Sequence, residues 1–356
     1  MLIKDLLLDD SIECTVEDNR AVFIDKFNNS NGKKVLYIHI PFCPSKCHYC
    51  ICETRVCNDQ NVLEEFVYKT IPEQIKSYFS VLKSTSFDQL YIGGGTPTIL
   101  NSKMLGDLLD QINNVVDLSK ISIKSIECSP STIEFEHINI FKKYGFDFVS
   151  MGVQTLQQNI SKWQNRQYVS NDELLVISKV FRESGIYFNY DMICYLGKGD
   201  IRDIPMFKED LTYIMKYCKP SSICVHQHHQ IEFSVEKTTE LHNVLNELIS
   251  SDDLDYECVN ALLTKDEILM DTMYQAQYRL VREKREFCHY MWKRYPMVPV
   301  KGYDVLGLGF DKDTNVKSNA SNLVFSESKN QMSKIVFPKF MYDDFEKVRK
   351  SKNLPI

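Results

Sequence analysis

Cys43, Cys47, Cys50 and Cys52 fall within ten residues of one another in the stretch YIHIPFCPSKCHYCIC, 37–52, directly after an alternating apolar run. Three thiolates spaced C-x3-C-x2-C on one loop can converge on a single metal centre, and their charge requires a cation or a metal cluster. A structural zinc ion wants four ligands, usually as two pairs separated by a longer loop. Cys52 and Cys57 could complete such a set, so zinc stays open, although the spacing lacks the paired symmetry. Most other cysteines, among them Cys14, Cys194, Cys218, Cys224, Cys258 and Cys288, stand alone and read as core or incidental positions.

A second group is CVHQHHQ, which brings His226, His228 and His229 to the end of another apolar run. Strand alternation sends His226 and His228 to one face and His229 to the other. No carboxylate or thiol partner for a second metal is evident. Imidazoles titrate near neutrality, so proton transfer or polarisation of a substrate is the functional reading, against plain structural histidines.

The elements that must position these groups follow one rhythm. VLYIHI, DQLYIGGG, IKSIECSP, FDFVSMGVQ, IYFNYDMICY and SSICVHQH read as strands. Helix-compatible stretches follow them at 62–83, 103–116, 133–144, 172–183, 204–217 and 236–248. Helices alternating with short Val/Ile/Tyr-rich runs indicate βα units and a parallel sheet. Six units are fewer than the eight that close a full barrel, so the expected architecture is α/β, a partial (β/α)6 TIM-type barrel. Ligands in such sheets sit at the C-terminal strand ends. There lie the thiols, Gly94 and Gly95, Glu127, Gln154 and Asp191.

Past residue 250 the rhythm changes. NALLTKDEILMDTMYQAQYRLVREK reads as helical, KGYDVLGLGF as a strand or turn, and SNLVFSESKNQMSKIVF as a hairpin. The expected organisation is an N-terminal lead, 1–34, the barrel, 35–250, and a C-terminal α+β appendage, 251–356, that covers the barrel's open side.

The chain has 356 residues, ample for such a barrel with additions, and is 44% hydrophobic and 25% charged, as folded domains are. A net charge of -6 gives no general reason to expect nucleic acid as a partner. The basic run RLVREKREF reads as the solvated face of a helix. The start, MLIKDLLLDDSIE, resembles neither a signal peptide nor a membrane span, and no membrane association is expected. Cysteines this numerous without an export signal suit a reducing cytoplasm.

Cys43, Cys47 and Cys50, with Tyr49 before the third, resemble the signature of the radical S-adenosylmethionine (SAM) enzymes. There, three cysteines hold three irons of a [4Fe-4S] cluster and leave the fourth iron to the amino and carboxylate groups of SAM. An electron from the cluster then splits the sulfonium and releases a 5'-deoxyadenosyl radical. The resemblance narrows to the oxygen-independent coproporphyrinogen III oxidase-like (HemN-like) branch. YIHIPFC, YIGGGTPTIL, IECSP, SMGVQTLQ, QNRQ and NYDMI stand in its order and spacing over about residues 35 to 200.

The resemblance implies a site. Gly94, Gly95 and Thr96 would let backbone approach the methionyl end. Arg166 would fork onto the carboxylate, and Glu127 would meet the amino group. Gln154 and Asp191 would hold the ribose hydroxyls, Tyr49 would lie by the adenine, and Tyr37 and His39 would line the floor near the cluster. Taken singly, a GGG run is often only a turn, and each charged residue would read as surface or ion-pair. Cys52 occurs in the oxidases, whereas the related haem chaperones usually have an aromatic there. That favours a catalyst, with a small buried residue under the cluster as the plain alternative.

Two departures weaken the family's usual substrate as an expectation. The chain is shorter than the oxidases at its N-terminus, with no evident porphyrin-handling arm. LGLGFDKDTNVKSNASN is similar to a glycine-containing segment that in some members helps bind a second SAM. Phe310, Asp311, Lys312 and Asp313 stand there where relatives have mostly small residues. The expected partners are a small-molecule substrate and an electron donor such as flavodoxin or ferredoxin. Hydrogen abstraction from an organic substrate, porphyrinogen-like or other, would yield 5'-deoxyadenosine alone. Methyl or methylene transfer through a second SAM would add S-adenosylhomocysteine, and no cobalamin domain is visible. The competing class is a haem chaperone, with His226 or His228 as first ligands to test. A zinc-stabilised structural protein is the third reading.

Overall fold

Val35–Ile40 is buried residue after residue, a near-continuous run that suits a parallel strand covered on both faces. It belongs to β1 (Lys33–Ile40). The computed structural model describes residues 31–228 apart from 51 and 53, together with 12–13, 24–25, 27–29, 235–250, 256–259, 277–283, 303–309, 315–318, 323–326 and 331–334. Five further strands run parallel to β1 in sequence order: β2 (Gln89–Gly94), β3 (Ile123–Cys128), β4 (Phe148–Gln154), β5 (Tyr187–Cys194) and β6 (Ser222–Gln227).

Helices cross between them. α1 (Gln60–Glu65), a π-helical turn (Phe66–Thr70), α2 (Ile71–Ser77) and α3 (Phe79–Ser84) lead from β1 towards β2. The π turn sets Phe66 and Val67 into the core, a local adjustment of the helix path. α4 (Ser102–Asn113), α5 (Phe135–Tyr144), α6 (Gln158–Trp163), α7 (Asn171–Ser184), α8 (Ile204–Tyr213) and α9 (Val235–Ile249) follow. α7 starts where Ser170 and Glu173 form a capping box, satisfying N–H groups the helix cannot pair itself.

Period-two alternation divides the strands into two chemistries. Leu36, Ile38, Leu90, Ile92, Ile126, Val149, Phe188, Ile223 and Val225 share one apolar core. The intervening positions carry Tyr37, His39, Tyr91, Glu127, Ser150, Asn189, Asp191, Ser222, Cys224 and His226. Glu127 pairs with Ser150, Ser150 with Asn189, and Asn189 with Ser222, so polar side chains form a layer across four strands.

The expected six parallel strands are present, but the sheet is larger. Its order is β7-β8-β6-β5-β4-β3-β2-β1-β9, where β7 is Glu257–Val259, β8 Gln277–Val281 and β9 Tyr303–Leu308. β8 overturns the helical reading of RLVREK up to Val281. Arg, Leu and Glu favour a helix locally, but the open edge of β6 takes this stretch as an antiparallel partner, Tyr278 beside Val225, and tertiary pairing overrides propensity. β9 is parallel to β1, so this part of the C-terminal region extends the barrel sheet itself. The expected hairpin pairs Leu323–Ser326 with Gln331–Lys334. Residues 310–313 and His229 lie outside the described residues. No helix among the described residues is long and apolar enough to cross a membrane.

Candidate active site

The cysteine loop after β1 is tied down at both ends. Phe42 and Cys43 pair in parallel with Arg55 and Val56, and the Cys57 amide donates to the Cys43 carbonyl at 2.9 Å. The Arg55 guanidinium lies 4.7 Å from the Phe42 ring centre, a cation–π contact. Between these ends, Cys50 N donates to Cys47 O at 3.1 Å and His48 N to Gln164 O at 3.0 Å. Lys46 Nζ donates to Cys52 O at 2.7 Å. These bonds fix the loop from within the chain.

Burial pushes the Cys43 thiol up, partly offset by Thr96, whose hydroxyl is 3.4 Å from its sulfur. The neighbouring Cys52 thiol holds Cys50 below the ordinary thiol range, while Cys50 and burial push Cys52 up. Cys57 instead donates to the Asp59 carbonyl at 3.6 Å. Among the described residues, the one trio of ligand-type side chains with all donor atoms within 4.8 Å is elsewhere, so the sulfurs of Cys43, Cys47 and Cys50 are spread wider.

Beside Cys43 runs the glycine turn after β2. Gly95 N donates to Ile40 O at 2.7 Å and Thr96 N to Phe42 O at 2.8 Å. A Cβ on Gly95 would stand 2.4 Å from Phe42 O, and one on Gly94, at φ +113°, would stand 2.7 Å from His39 Nδ1. Only glycine fits this turn, which is a close-approach device as well as a bend. Below it, the Tyr37 hydroxyl and His39 Nδ1 are 2.9 Å apart, and the Tyr37 and Tyr91 rings stack at 5.3 Å. Tyr91, absent from the sequence-based site, donates its hydroxyl to Glu127.

Gln154 ends β4 at φ +72°, a left-handed backbone that costs a non-glycine residue energy and often marks a functional site. Its Oε1 is buried with no hydrogen-bond partner among the described residues. Arg166 donates to the Gly152 carbonyl, to the Tyr49 hydroxyl at 2.9 Å, and to the Cys47 sulfur at 3.8 Å. Tyr49 packs with Ile160 and Leu196 beside Cys47 and Cys50, and burial pushes its phenol up.

Sequence reasoning also passed over Asp210 on α8. Its carboxylate accepts from Thr155 Oγ1 at 2.8 Å, Leu156 N at 2.9 Å and Gln157 Nε2 at 2.7 Å, holding the turn that follows Gln154. Burial raises its pKa against these donors. In the sequence it looks like any acid on an amphipathic helix.

Asp191 on β5 is held by its neighbours. Asn189 Nδ2 donates to Oδ1 at 2.7 Å and Ser150 Oγ to Oδ2 at 3.0 Å, while Ser222 Oγ donates to Asn189 Oδ1 at 2.9 Å. His226 Nε2 lies 3.8 Å from Asp191 Oδ1. Burial disfavours the charged imidazole, but the Asp191 carboxylate and Cys224 outweigh it and carry His226 up to about 10. This corrects the expectation that the histidines lack a carboxylate or thiol partner and that Cys224 is incidental. His228 lies beyond β6, where its amide donates to Cys194 O at 3.0 Å.

Residues 37–211 match the family model of the Radical SAM superfamily. The heme chaperone HemW of Buchnera aphidicola subsp. Schizaphis graminum is 29% identical over 192 residues, 54% of this chain and 50% of that protein. The oxygen-independent coproporphyrinogen III oxidase of Salmonella typhimurium is 29% identical over 166 residues, 46% and 35% of the two chains. The matches thus span half or less of those relatives' length. In fold, the chain resembles the coproporphyrinogen III oxidase HemN from Escherichia coli, a radical SAM enzyme. The TM-score is 0.67 at 17% identity, covering 94% of this chain and 79% of that one.

Proposed function

The chain belongs to the radical SAM superfamily, among its HemN-like members, and on that premise we propose an enzyme that uses a [4Fe-4S] cluster and SAM to act on a small organic substrate. Cys43, Cys47 and Cys50 are the cluster's ligands in this reading. The observation that carries it is the cradle at Gly94 and Gly95, where any Cβ would collide with the β1 end that leads into Cys43. Together the two groups supply one-electron cleavage of the sulfonium, chemistry no side chain offers.

The chain's own residues bind and orient. Arg166 offers a guanidinium fork to the SAM carboxylate, and Glu127, steadied by Tyr91, is a fixed anion for the amino group. Gln154 Oε1 finds no donor among the described residues, and a ribose hydroxyl would provide one. Asp191 is the second ribose acceptor and Tyr49 the adenine neighbour. Tyr37 and His39, joined at 2.9 Å, form a floor that can hold or pass a proton. Cys52, two residues past the Cys50 ligand, is the remaining thiol beside the cluster in this reading. A low-potential donor of the flavodoxin or ferredoxin kind would provide the electron, in the cytoplasm.

The test is an anaerobic assay of the reconstituted, reduced protein with SAM, quantifying 5'-deoxyadenosine and S-adenosylhomocysteine with and without candidate substrates. Deoxyadenosine alone supports hydrogen abstraction from the substrate, as in oxidation or decarboxylation. Matched amounts of both support methyl or methylene transfer through a second SAM. Neither product from an intact cluster sinks the enzyme reading and favours haem handling, which the heme chaperone relatives suggest and stoichiometric haem binding would reveal.

A further inference from the structure

Asp191 and Cys224 face each other across the β5–β6 pairing, and His226 lies two residues beyond Cys224 on the same strand face. One donor atom from each, a carboxylate oxygen, a sulfur and an imidazole nitrogen, all lie within 4.8 Å of one another. We propose that these three residues hold a single zinc ion, with a fourth position open to a heteroatom of a small-molecule ligand.

His226 Nε2 and Asp191 Oδ1 are 3.8 Å apart. Two ligands on a tetrahedral ion with bonds of about 2.0 Å stand about 3.3 Å apart, a closure that small side-chain rotations achieve. The donor set of one thiolate, one imidazole and one carboxylate matches zinc, whereas calcium and magnesium want oxygen alone. Three protein ligands are the pattern of zinc sites that keep a position open.

The surroundings are built as metal sites are built, with the carboxylate oriented from behind. Asn189 and Ser150 each donate to one Asp191 oxygen, and Ser222 fixes Asn189. An ionised carboxylate offers about four lone-pair directions. Oδ1 can therefore take Asn189 and the ion, while Oδ2 takes Ser150 and a ribose hydroxyl. The two uses of Asp191 are compatible, and the zinc site does not rest on the cluster assignment.

The decisive experiment is zinc X-ray absorption on the full chain carrying its cluster, loaded anaerobically with one equivalent of zinc ion and then desalted. About one zinc should remain per chain, with a single sulfur in its shell at about 2.3 Å. Cys224→Ser should remove that sulfur, and His226→Ala should weaken zinc retention at least tenfold, both with iron content unchanged. No retained zinc, a shell of three or more sulfurs, or an unaltered shell in Cys224→Ser would each overturn the site. If a variant fails to fold, the wild-type shell alone decides. Failure of the cluster reading would appear separately, as missing iron.

Discussion

Arg166 Nη1 donates to the Tyr49 hydroxyl at 2.9 Å and to the Cys47 sulfur at 3.8 Å, so the segment after α6 latches the loop after β1. The same cation is the carboxylate fork in the proposed site. Arg166→Lys keeps the charge but loses the planar fork. SAM affinity should fall about 10–100-fold, the equivalent of about 1.5–3 kcal/mol for a charge-assisted bond. Equilibrium dialysis on cluster-loaded protein measures this, and an unchanged affinity would remove Arg166 from the site.

Cys47 and Cys57 separate a cluster from a zinc set. Cys47→Ala should abolish SAM cleavage and deplete iron, whereas Cys57→Ala should leave both intact because that thiol is turned to the Asp59 carbonyl. Iron analysis of the two variants side by side is sufficient. Loss of iron in Cys57→Ala would contradict the ligand assignment.

Gly95→Ala places a methyl group 2.4 Å from a backbone oxygen that cannot swing aside. The expected cost is about 1–3 kcal/mol of overpacking, read as a lower denaturation midpoint with poorer cluster incorporation. A variant as stable and iron-rich as the parent would refute the close approach.

Asp210→Asn turns one acceptor oxygen into a donor that faces Thr155, Leu156 or Gln157. Stability should drop by about 1–3 kcal/mol. The KM for SAM should also rise in the variant, because Asp210 positions the turn after Gln154 without touching the ligand. A drop in stability with an unmoved KM would leave Asp210 a purely structural anchor.

His137 gives a pH dependence with a definite sign. Its Nδ1 accepts from Glu134 N and its Nε2 donates to Leu100 O, both at 2.9 Å, which requires the neutral ring. Burial lowers its pKa from the ordinary 6.5. Below that ordinary value the unfolded chain binds the proton more readily than the folded one, so stability falls as pH drops and is complete above it. Melting curves from pH 8 to about 5.5 should show a loss that is smaller in His137→Gln. Equal slopes would exclude His137 as the cause.

The thiols, the glycine turn and the six strands could be read from the chain because each rests on neighbours a few residues apart. The trio of Asp191, Cys224 and His226 could not. It exists only through the register of β5 on β6, and Cys224 by itself is one small residue in an apolar run. Tyr91 was hidden for the same reason, since its partner Glu127 comes from the next strand. β8 was misread because its local preference and its edge partner disagree, and the partner is distant in sequence.

Lys33 finds its partner in Tyr303, and a Cβ on Gly309 would meet the His39 carbonyl at 2.1 Å. The barrel's first strand is thus among the last to be enclosed. At synthesis rates of ~5–20 residues per second, its outer edge waits on the order of tens of seconds for β9 to leave the ribosome. No hairpin can fill the gap, because parallel pairing needs a long return path. The newborn chain therefore carries an open, apolar edge at the strand that leads into the cysteine loop, a template for chance pairing until β9 covers it.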